Sequence, residues 1–272
     1  GRGFARLGDV DGDGHDDLAI SAGLAEVNGM DQAGIVFVLL DTGTLPARVD
    51  LSRVGVDIPG FQVRGTLFVD TPTGEIRRNM GALGSAIVPA GDVDGDGLDD
   101  FFLCAREIWT MYLLRGRASW PGVIDLDGID EAALDALRIT MFRSPFDGRI
   151  VADDHQVAGI GDLDGDGRSE IIVGVSRRDP QFAEQKSDSA VLLFWGRDPL
   201  PPVVDLGLLP DGRQTAFRPV TFGDQLGLAL APIGDINGDS RPDFLMGAPE
   251  ASRDGNGVVG EAYAIFGAPE FP

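Results

Sequence analysis

Four times along the chain, a run of about five apolar residues follows directly on a tract in which acids and glycines alternate. The runs are Leu18-Ala19-Ile20-Ser21-Ala22, Phe101-Phe102-Leu103-Cys104-Ala105, Ile171-Ile172-Val173-Gly174-Val175 and Phe244-Leu245-Met246-Gly247-Ala248. They are apolar on both faces rather than alternating, which predicts short strands sandwiched between two layers. A polar, variable stretch follows each run, and then a second apolar strand, at 35–40, 111–114, 191–195 and 262–266. In three units a proline (Pro46, Pro121, Pro201) stands four residues before an Asp-Leu pair (Asp50-Leu51, Asp125-Leu126, Asp205-Leu206). This pattern predicts a short outer strand at a sheet edge, where proline is tolerated. Gly-rich segments at 81–90, 157–160 and 222–233 lead back to the next acidic tract, and the small residues Gly84, Ser85 and Ala86 suit a crowded innermost strand. One or two turns of helix are expected over 131–137. Four short strands per unit, punctuated by turns, describe the blade of a β-propeller, which must stack on neighbouring blades to bury its faces.

The acidic tracts are the most regular feature of the chain. They begin at Asp9, Asp92, Asp162 and Asp235, 83, 70 and 73 residues apart, and each follows a glycine (Gly8, Gly91, Gly161, Gly234). A repeat at this period organises everything else. Oxygen side chains fall at positions one, three, five and nine of each tract. They are Asp9, Asp11, Asp13 and Asp17; Asp92, Asp94, Asp96 and Asp100; Asp162, Asp164, Asp166 and Glu170; and Asp235, Asn237, Asp239 and Asp243. Position seven (His15, Leu98, Arg168, Arg241) is too varied for a side-chain ligand, so its carbonyl is the expected fifth donor. Ca²⁺ takes six to eight oxygens, and alternate residues of a tight loop can point inward together. Asp-Gly pairs also make plain hairpin turns, but a turn needs no fixed acid at position nine. The expectation is therefore about four Ca²⁺ ions, one per loop. An EF-hand is excluded, because position twelve (Ile20, Leu103, Val173 and, at Leu245-Met246, the fourth copy) is apolar and lies in a strand-like run. The fourth loop is expected to bind most weakly, since Asn237 replaces an acid and Ser240 stands where the others have glycine.

Composition narrows the class. The 272 residues suffice for a sizeable core and are 43% hydrophobic, so the net charge of −22 does not signal a disordered acidic tail. Four bound Ca²⁺ ions would bring that charge to −14. An excess this acidic repels nucleic acid and anionic membrane surfaces, so neither is an expected partner. The single cysteine, Cys104, sits in an apolar run and reads as a small buried hydrophobe, with calcium as the staple in place of disulfides. No run of eighteen apolar residues argues for membrane insertion.

The loops, together with Phe222-Gly223 before the fourth and Gly247-Ala248-Pro249 after it, resemble the FG-GAP repeats of integrin α-subunit propellers and their bacterial relatives. The other units keep parts of the pattern, with Met80-Gly81 in the second and Ser21-Ala22, Cys104-Ala105 and Gly174-Val175 in place of Gly-Ala-Pro. The resemblance implies an all-β, calcium-binding propeller, extracellular or at the cell surface, used for adhesion or carbohydrate binding, with about seven blades in the complete ring. On that reading residues 1–272 form a single propeller region with truncated ends, its blades centred on loops 9–17, 92–100, 162–170 and 235–243. The chain opens inside a repeat at Phe4 and stops before the next Asp-Leu strand, so four blades of a larger ring are expected. Closing pieces from another chain and a compact four-bladed ring are the alternatives.

The expected function is a secreted binding or structural module, an adhesion, matrix or assembly subunit, with the periplasm as the alternative location. A protein or glycan partner would meet the variable loops 25–32, 177–189 and 250–258. Of the three tryptophans, Trp109 and Trp195 read as core, and Trp120, beside Pro121, as the exposed one that could stack on a sugar. Arg77-Arg78 and Arg177-Arg178 offer cations to an acidic partner, although a solvated surface is the simpler reading. The competing expectation is the propeller of a secreted carbohydrate- or lipid-acting enzyme. It is disfavoured because His15 lies in a metal loop, His155 reads as a solvated loop residue, and the acids in register are taken by metal.

Overall fold

A computed structural model describes residues 3–41, 43, 48–66, 82–105, 110–143, 156–178, 187–206, 214–221, 223–253, 257–269 and 271. Trp109, His155, Pro46, Phe222, Arg77-Arg78 and Met80-Gly81, all singled out above, lie outside the described residues. The regular secondary structure of the described residues is nearly all strand, with one short helix and one 3₁₀ turn, and the strands form four sheets.

The first sheet is built by β1 (Phe4–Gly8), β2 (Asp17–Ala22), β3 (Ile35–Leu39) and β4 (Gly60–Arg64), paired antiparallel in chain order. The second uses β5 (Leu83–Gly91), β6 (Asp100–Ala105) and β7 (Thr110–Leu114). Next come β8 (Val123–Asp125), the helix α1 (Glu131–Ala136) and β9 (Ile139–Arg143), which is the fourth strand of that sheet. The third is β10 (Val157–Gly161), β11 (Glu170–Arg178), β12 (Ser187–Phe194) and β14 (Gln214–Phe217), with β13 (Val203–Asp205) intervening in the chain. The fourth comprises β15 (Ala229–Gly234), β16 (Asp243–Ala248) and β17 (Glu261–Ile265). Each acidic loop joins the first and second strands of its own sheet, as the apolar pattern requires. The predicted helix over 131–137 is α1, whose N-cap Asp130 accepts a hydrogen bond from the Ala133 amide at 2.8 Å.

One strand assignment is corrected. The Asp-Leu segments of the second and third units are strands, but they are not the outer strands of their own sheets. β8 adds parallel to β4 of the first sheet, with Gln62 opposite Val123 and Arg64 opposite Asp125, and β13 adds to β9 of the second. The fourth strand of the first, second and third sheets is instead β4, β9 and β14. In the first unit, Asp50-Leu51 makes no strand: Asp50 caps a 3₁₀ turn over Leu51–Arg53 by accepting from the Ser52 amide. A proline that reads as an edge marker is correct about the edge, but the identity of the neighbouring strand is a long-range matter.

The described residues divide into two compact units. One comprises Gly1–Pro89, Asp96–Phe142 and Pro201–Val204; its core gathers Leu7, Val10, Val38, Phe61, Phe101, Leu103 and Leu114. The other comprises Ala90–Gly95, Arg143–Leu200 and Asp205–Pro272; its core gathers Ile160, Leu163, Ile172, Leu193, Phe244 and Met246. Every residue of β6 and β7 is buried, in line with the two-faced apolar pattern. Cys104, the single cysteine, is buried in β6.

Candidate metal centres

The glycine before each loop explains how the loop is launched. Pairing of β1 with β2 shifts register between Arg6 and Gly8, of β10 with β11 between Gly159 and Gly161, and of β15 with β16 between Pro232 and Gly234. Gly8, Gly91, Gly161 and Gly234 all have positive φ, which an L-residue with a Cβ adopts only at a cost. Position two then turns inward as an apolar plug: Val10, Val93 and Leu163 are buried, whereas Ile236 of the fourth loop is 57% exposed.

Beyond the plug the loop folds around its first aspartate. In the first loop, Asp9 Oδ1 accepts from the amides of Gly12 (2.7 Å) and Asp13 (3.2 Å), and its Oδ2 from Gly14 (2.9 Å). Asp11 and Asp13 each accept from the amide two residues on. The third and fourth loops repeat this set around Asp162 and Asp235. The resulting curl brings ligand-type oxygens of Asp9, Asp11 and Asp13 within 4.8 Å of one another, and likewise those of Asp92, Asp94 and Asp96. In the third loop the gathered group is Asp162, Asp164 and Glu170, while Asp166 meets the Arg168 guanidinium at 3.2 Å. The longer reach of glutamate carries position nine into the group. This all-oxygen, carboxylate-rich donor set suits a hard divalent cation.

Position nine also has a second task that its acidity alone does not reveal. Asp17, Asp100, Glu170 and Asp243 are all buried. Asp17 accepts from the Val10 amide at 2.9 Å and from Asp41 at 2.9 Å, so it ties the plug to the end of β3. Glu170 does the same with Leu163 (2.5 Å) and Gly196 (3.2 Å), and Asp243 with Ile236 (2.9 Å) and Gly267 (2.8 Å). Asp100 accepts from Gly116 at 2.8 Å. Burial pushes the Asp17 carboxyl up to about 6 and the Glu170 carboxyl up to about 7, against the lowering effect of those amides. Asp11 is also raised, chiefly by burial and further by its neighbours Asp13 and Asp9. Asp235 is lowered by the amides of Ser240 and Gly238, among others.

Positions seven and eight are what the sequence reading undervalued. Their side chains dock on the preceding loop. The Asp99 carboxylate accepts from the Asp9 amide at 3.0 Å, while the Asp99 amide donates to the Asp9 carbonyl at 2.9 Å. A Cβ at Gly8 would collide with that carboxylate. Ser169 N donates to the Asp92 carbonyl at 2.6 Å, and Arg168 Nε to the Asp94 carbonyl at 3.1 Å. Arg241 Nη1 reaches the Leu163 carbonyl at 2.7 Å. Consecutive loops are thus chained together within each unit. The available signal was the varied but bulky position seven beside a glycine four residues into the preceding loop.

The tryptophan reading is corrected. Trp120 stacks on Phe61 with ring centroids 4.3 Å apart and planes 13° apart, carries Arg117 on its ring at 5.8 Å, and donates from Nε1 to the Val10 carbonyl at 3.4 Å. It packs against the core and supports the plug of the first loop. Trp195 packs near Phe271, as expected of a core residue. Of the variable loops, 25–32 is described as a tight turn closed by the Val27–Met30 bridge, and 250–258 carries Arg253, which pairs with Glu261 and Tyr263. Residues 179–186 and 254–256 of those loops lie outside the described residues, and the side chains of Arg177 and Arg178 are likewise not described.

Comparison with known proteins matches this architecture. The FG-GAP repeat family profile matches residues 5–39 and 227–265, which hold the first and fourth loops with their flanking strands. Integrin alpha-IIb of Mus musculus is 29% identical over 178 residues, covering 63% of this chain and 15% of the relative. Integrin alpha pat-2 of Caenorhabditis briggsae is 26% identical over 259 residues, covering 84% of this chain and 18% of the relative. Integrin alpha-PS2 of Drosophila melanogaster is 33% identical over 114 residues, covering 41% and 7%. The chain spans less than a fifth of the length of these relatives. The family match, these relatives and four sheets with the same loop between first and second strands show that this chain carries FG-GAP repeats, with sheets consistent with the blades of an integrin-like β-propeller.

Proposed function

We propose that this chain is a calcium-stabilised extracellular binding module of the adhesion type, not an enzyme. The observation that carries the reading is the recurrence of one loop in which carboxylate oxygens gather within 4.8 Å, in three copies among the described residues. Positions one, three and five, the position-seven carbonyl, and position nine would hold the ion: Asp9, Asp11, Asp13, His15 and Asp17 in the first loop, and the corresponding residues in the others. A bound divalent cation supplies the positive charge that neutralises mutually repelling acids. The chain's own residues do the rest. The position-one carboxylate orients the curl, position two anchors it in the core, and position nine ties it to the second strand of the sheet.

If each site stands at ten times its dissociation constant, linkage contributes about 1.4 kcal/mol per site and about 5–6 kcal/mol for four. That is comparable to the whole net stability of a typical domain, roughly 5–15 kcal/mol. Extracellular modules bind Ca²⁺ at roughly 0.1–1 mM, which fits a cation used as a staple outside the cell. The integrin α relatives support an adhesion role and assembly with other chains, and the variable loops 25–32, 177–189 and 250–258 are the segments proposed to meet a partner. No helix among the described residues is long and apolar enough to cross a membrane. The test is calorimetric titration of the chelated chain with Ca²⁺, alongside melting with and without chelator. Saturable uptake of about four ions with a rise in Tm is expected; absence of uptake at 5 mM Ca²⁺ ends the reading.

A further inference from the structure

The outer edges of β4 and β9 are closed in the same way by a strand from farther along the chain. On β4, the Gln62 amide donates to the Gly122 carbonyl at 3.0 Å, the Leu126 amide donates to the Arg64 carbonyl at 3.0 Å, and Arg64 stands opposite Asp125. On β9, the Met141 amide donates to the Pro202 carbonyl at 2.8 Å, the Leu206 amide donates to the Arg143 carbonyl at 3.0 Å, and Arg143 Nε lies 3.5 Å from Asp205. Each seat therefore has three parts: an amide two residues before the arginine, the arginine carbonyl, and the arginine side chain at the level of the aspartate of Asp-Leu, which it approaches to 3.5 Å in the second seat.

β14 holds the same place in the third sheet. It pairs with β12 as β4 pairs with β3, Gln214 opposite Phe194 as Gly60 is opposite Leu39. The register is fixed independently, because Asp41 and Gly196, each two residues past those partners, donate to the position-nine acids of their loops. Counting along β14 from Gln214 puts Ala216 in the place of Gln62 and Met141, and Arg218 in the place of Arg64 and Arg143. Among the described residues, β14 pairs only with β12. Arg218 is exposed, Val220 beyond it is 69% exposed, and Gln214 Oε1, at the start of the strand, is buried without a hydrogen-bond partner. An arginine on a strand edge is ordinarily a solvated charge, but here the same register position is arginine in all three sheets; Arg64 stands opposite Asp125, and Arg143 pairs with Asp205.

We infer that the outer edge of β14 is a docking edge for the outer strand of a further FG-GAP repeat, an extended segment ending in apolar-Asp-Leu. It adds parallel to β14, takes the Ala216 amide and the Arg218 carbonyl into its ladder, and places its aspartate on the Arg218 guanidinium. This is strand addition, in which the backbone ladder gives affinity and one charged pair fixes register. It is independent of the metal reading.

The test uses the 272-residue chain in saturating Ca²⁺ and a fluorescent peptide of its own residues 121–128, PGVIDLDG, which already forms such a strand on β4. Saturable binding by anisotropy is expected, with slowed hydrogen exchange at Ala216 and no change at Gln62 or Met141. Arg218→Ala in the protein, or Asp125→Ala in the peptide, should each weaken binding about two- to fivefold, as loss of an exposed ion pair does. Arg218→Asp with a peptide carrying Asp125→Arg should restore it. No saturable binding at millimolar peptide, binding indifferent to both substitutions, or protection on another strand edge would overturn the proposal.

Discussion

Asp99→Ala tests whether the acidic loops act as a chain of latched units or as isolated sites. Asp99 is not among the oxygens gathered in either neighbouring loop, yet its carboxylate sits over Gly8 and accepts from the Asp9 amide at 3.0 Å. A hydrogen bond to a charged group contributes about 1.5–3 kcal/mol when well shielded, and this one is half-exposed, so about 1 kcal/mol is the reasonable scale. Because that bond holds the first residue of loop one, its loss falls on the order of loop one, and about 1.4 kcal/mol corresponds to tenfold in affinity. The expected result is a loop-one dissociation constant raised about five- to tenfold, with unchanged stoichiometry. Calcium calorimetry reads it, with Asp9→Ala identifying the loop-one component. Asp99→Asn keeps an acceptor for the Asp9 amide and should retain most of the affinity. Ser169→Ala should be nearly silent, because position eight of the third loop uses its backbone amide for the bond to Asp92. Equal losses for Asp99→Asn and Asp99→Ala would mean that bulk negative charge, not the latch, sets the affinity, and the chained-loop argument would fail.

Ser240 has φ 69°, where the other loops have glycine, so Ser240→Gly should stabilise the fourth loop by about 1 kcal/mol and tighten its calcium site; an unchanged site would refute the strain argument. Without calcium, Asp17 and Glu170 titrate in the fold at about 6 and about 7, above their ordinary values. The stability these two groups contribute is therefore greatest below about pH 4 and is lost as pH rises through 4–7. The rise in Tm on adding calcium should be larger at pH 8 than at pH 5, and the reverse order in scanning calorimetry would contradict the assignment. Trp120→Ala removes the ring stacked on Phe61 and the support of Val10, and should cost about 3 kcal/mol in urea denaturation; a change within 0.5 kcal/mol would mean that the ring is not part of the core.

Much of the architecture was legible because it is written in local chemistry. The loops announce themselves: alternate acids around glycines can curl only where positive φ is free, and the following five residues have no polar face to expose. Those two facts place the first and second strands of every sheet and the gathered carboxylates of loops one and two. The helix at α1 was legible for the same reason, an aspartate cap ahead of Glu131. Other features required the tertiary structure. Trp120 beside a proline looks exposed in sequence, and only the approach of Phe61, 59 positions away, makes it core. Asp125-Leu126 and Asp50-Leu51 are nearly the same words, yet one is a strand and the other a capped turn. The difference is whether β4 offers a free edge nearby, and strand pairing depends on hydrogen-bond partners that no local window contains. Position nine shows both sides at once. Its acidity is evident from the repeat, but its work as the tie between the Val10 plug and the end of β3 depends on amides 7 and 24 residues away brought to it by the sheet, and that only the folded chain decides.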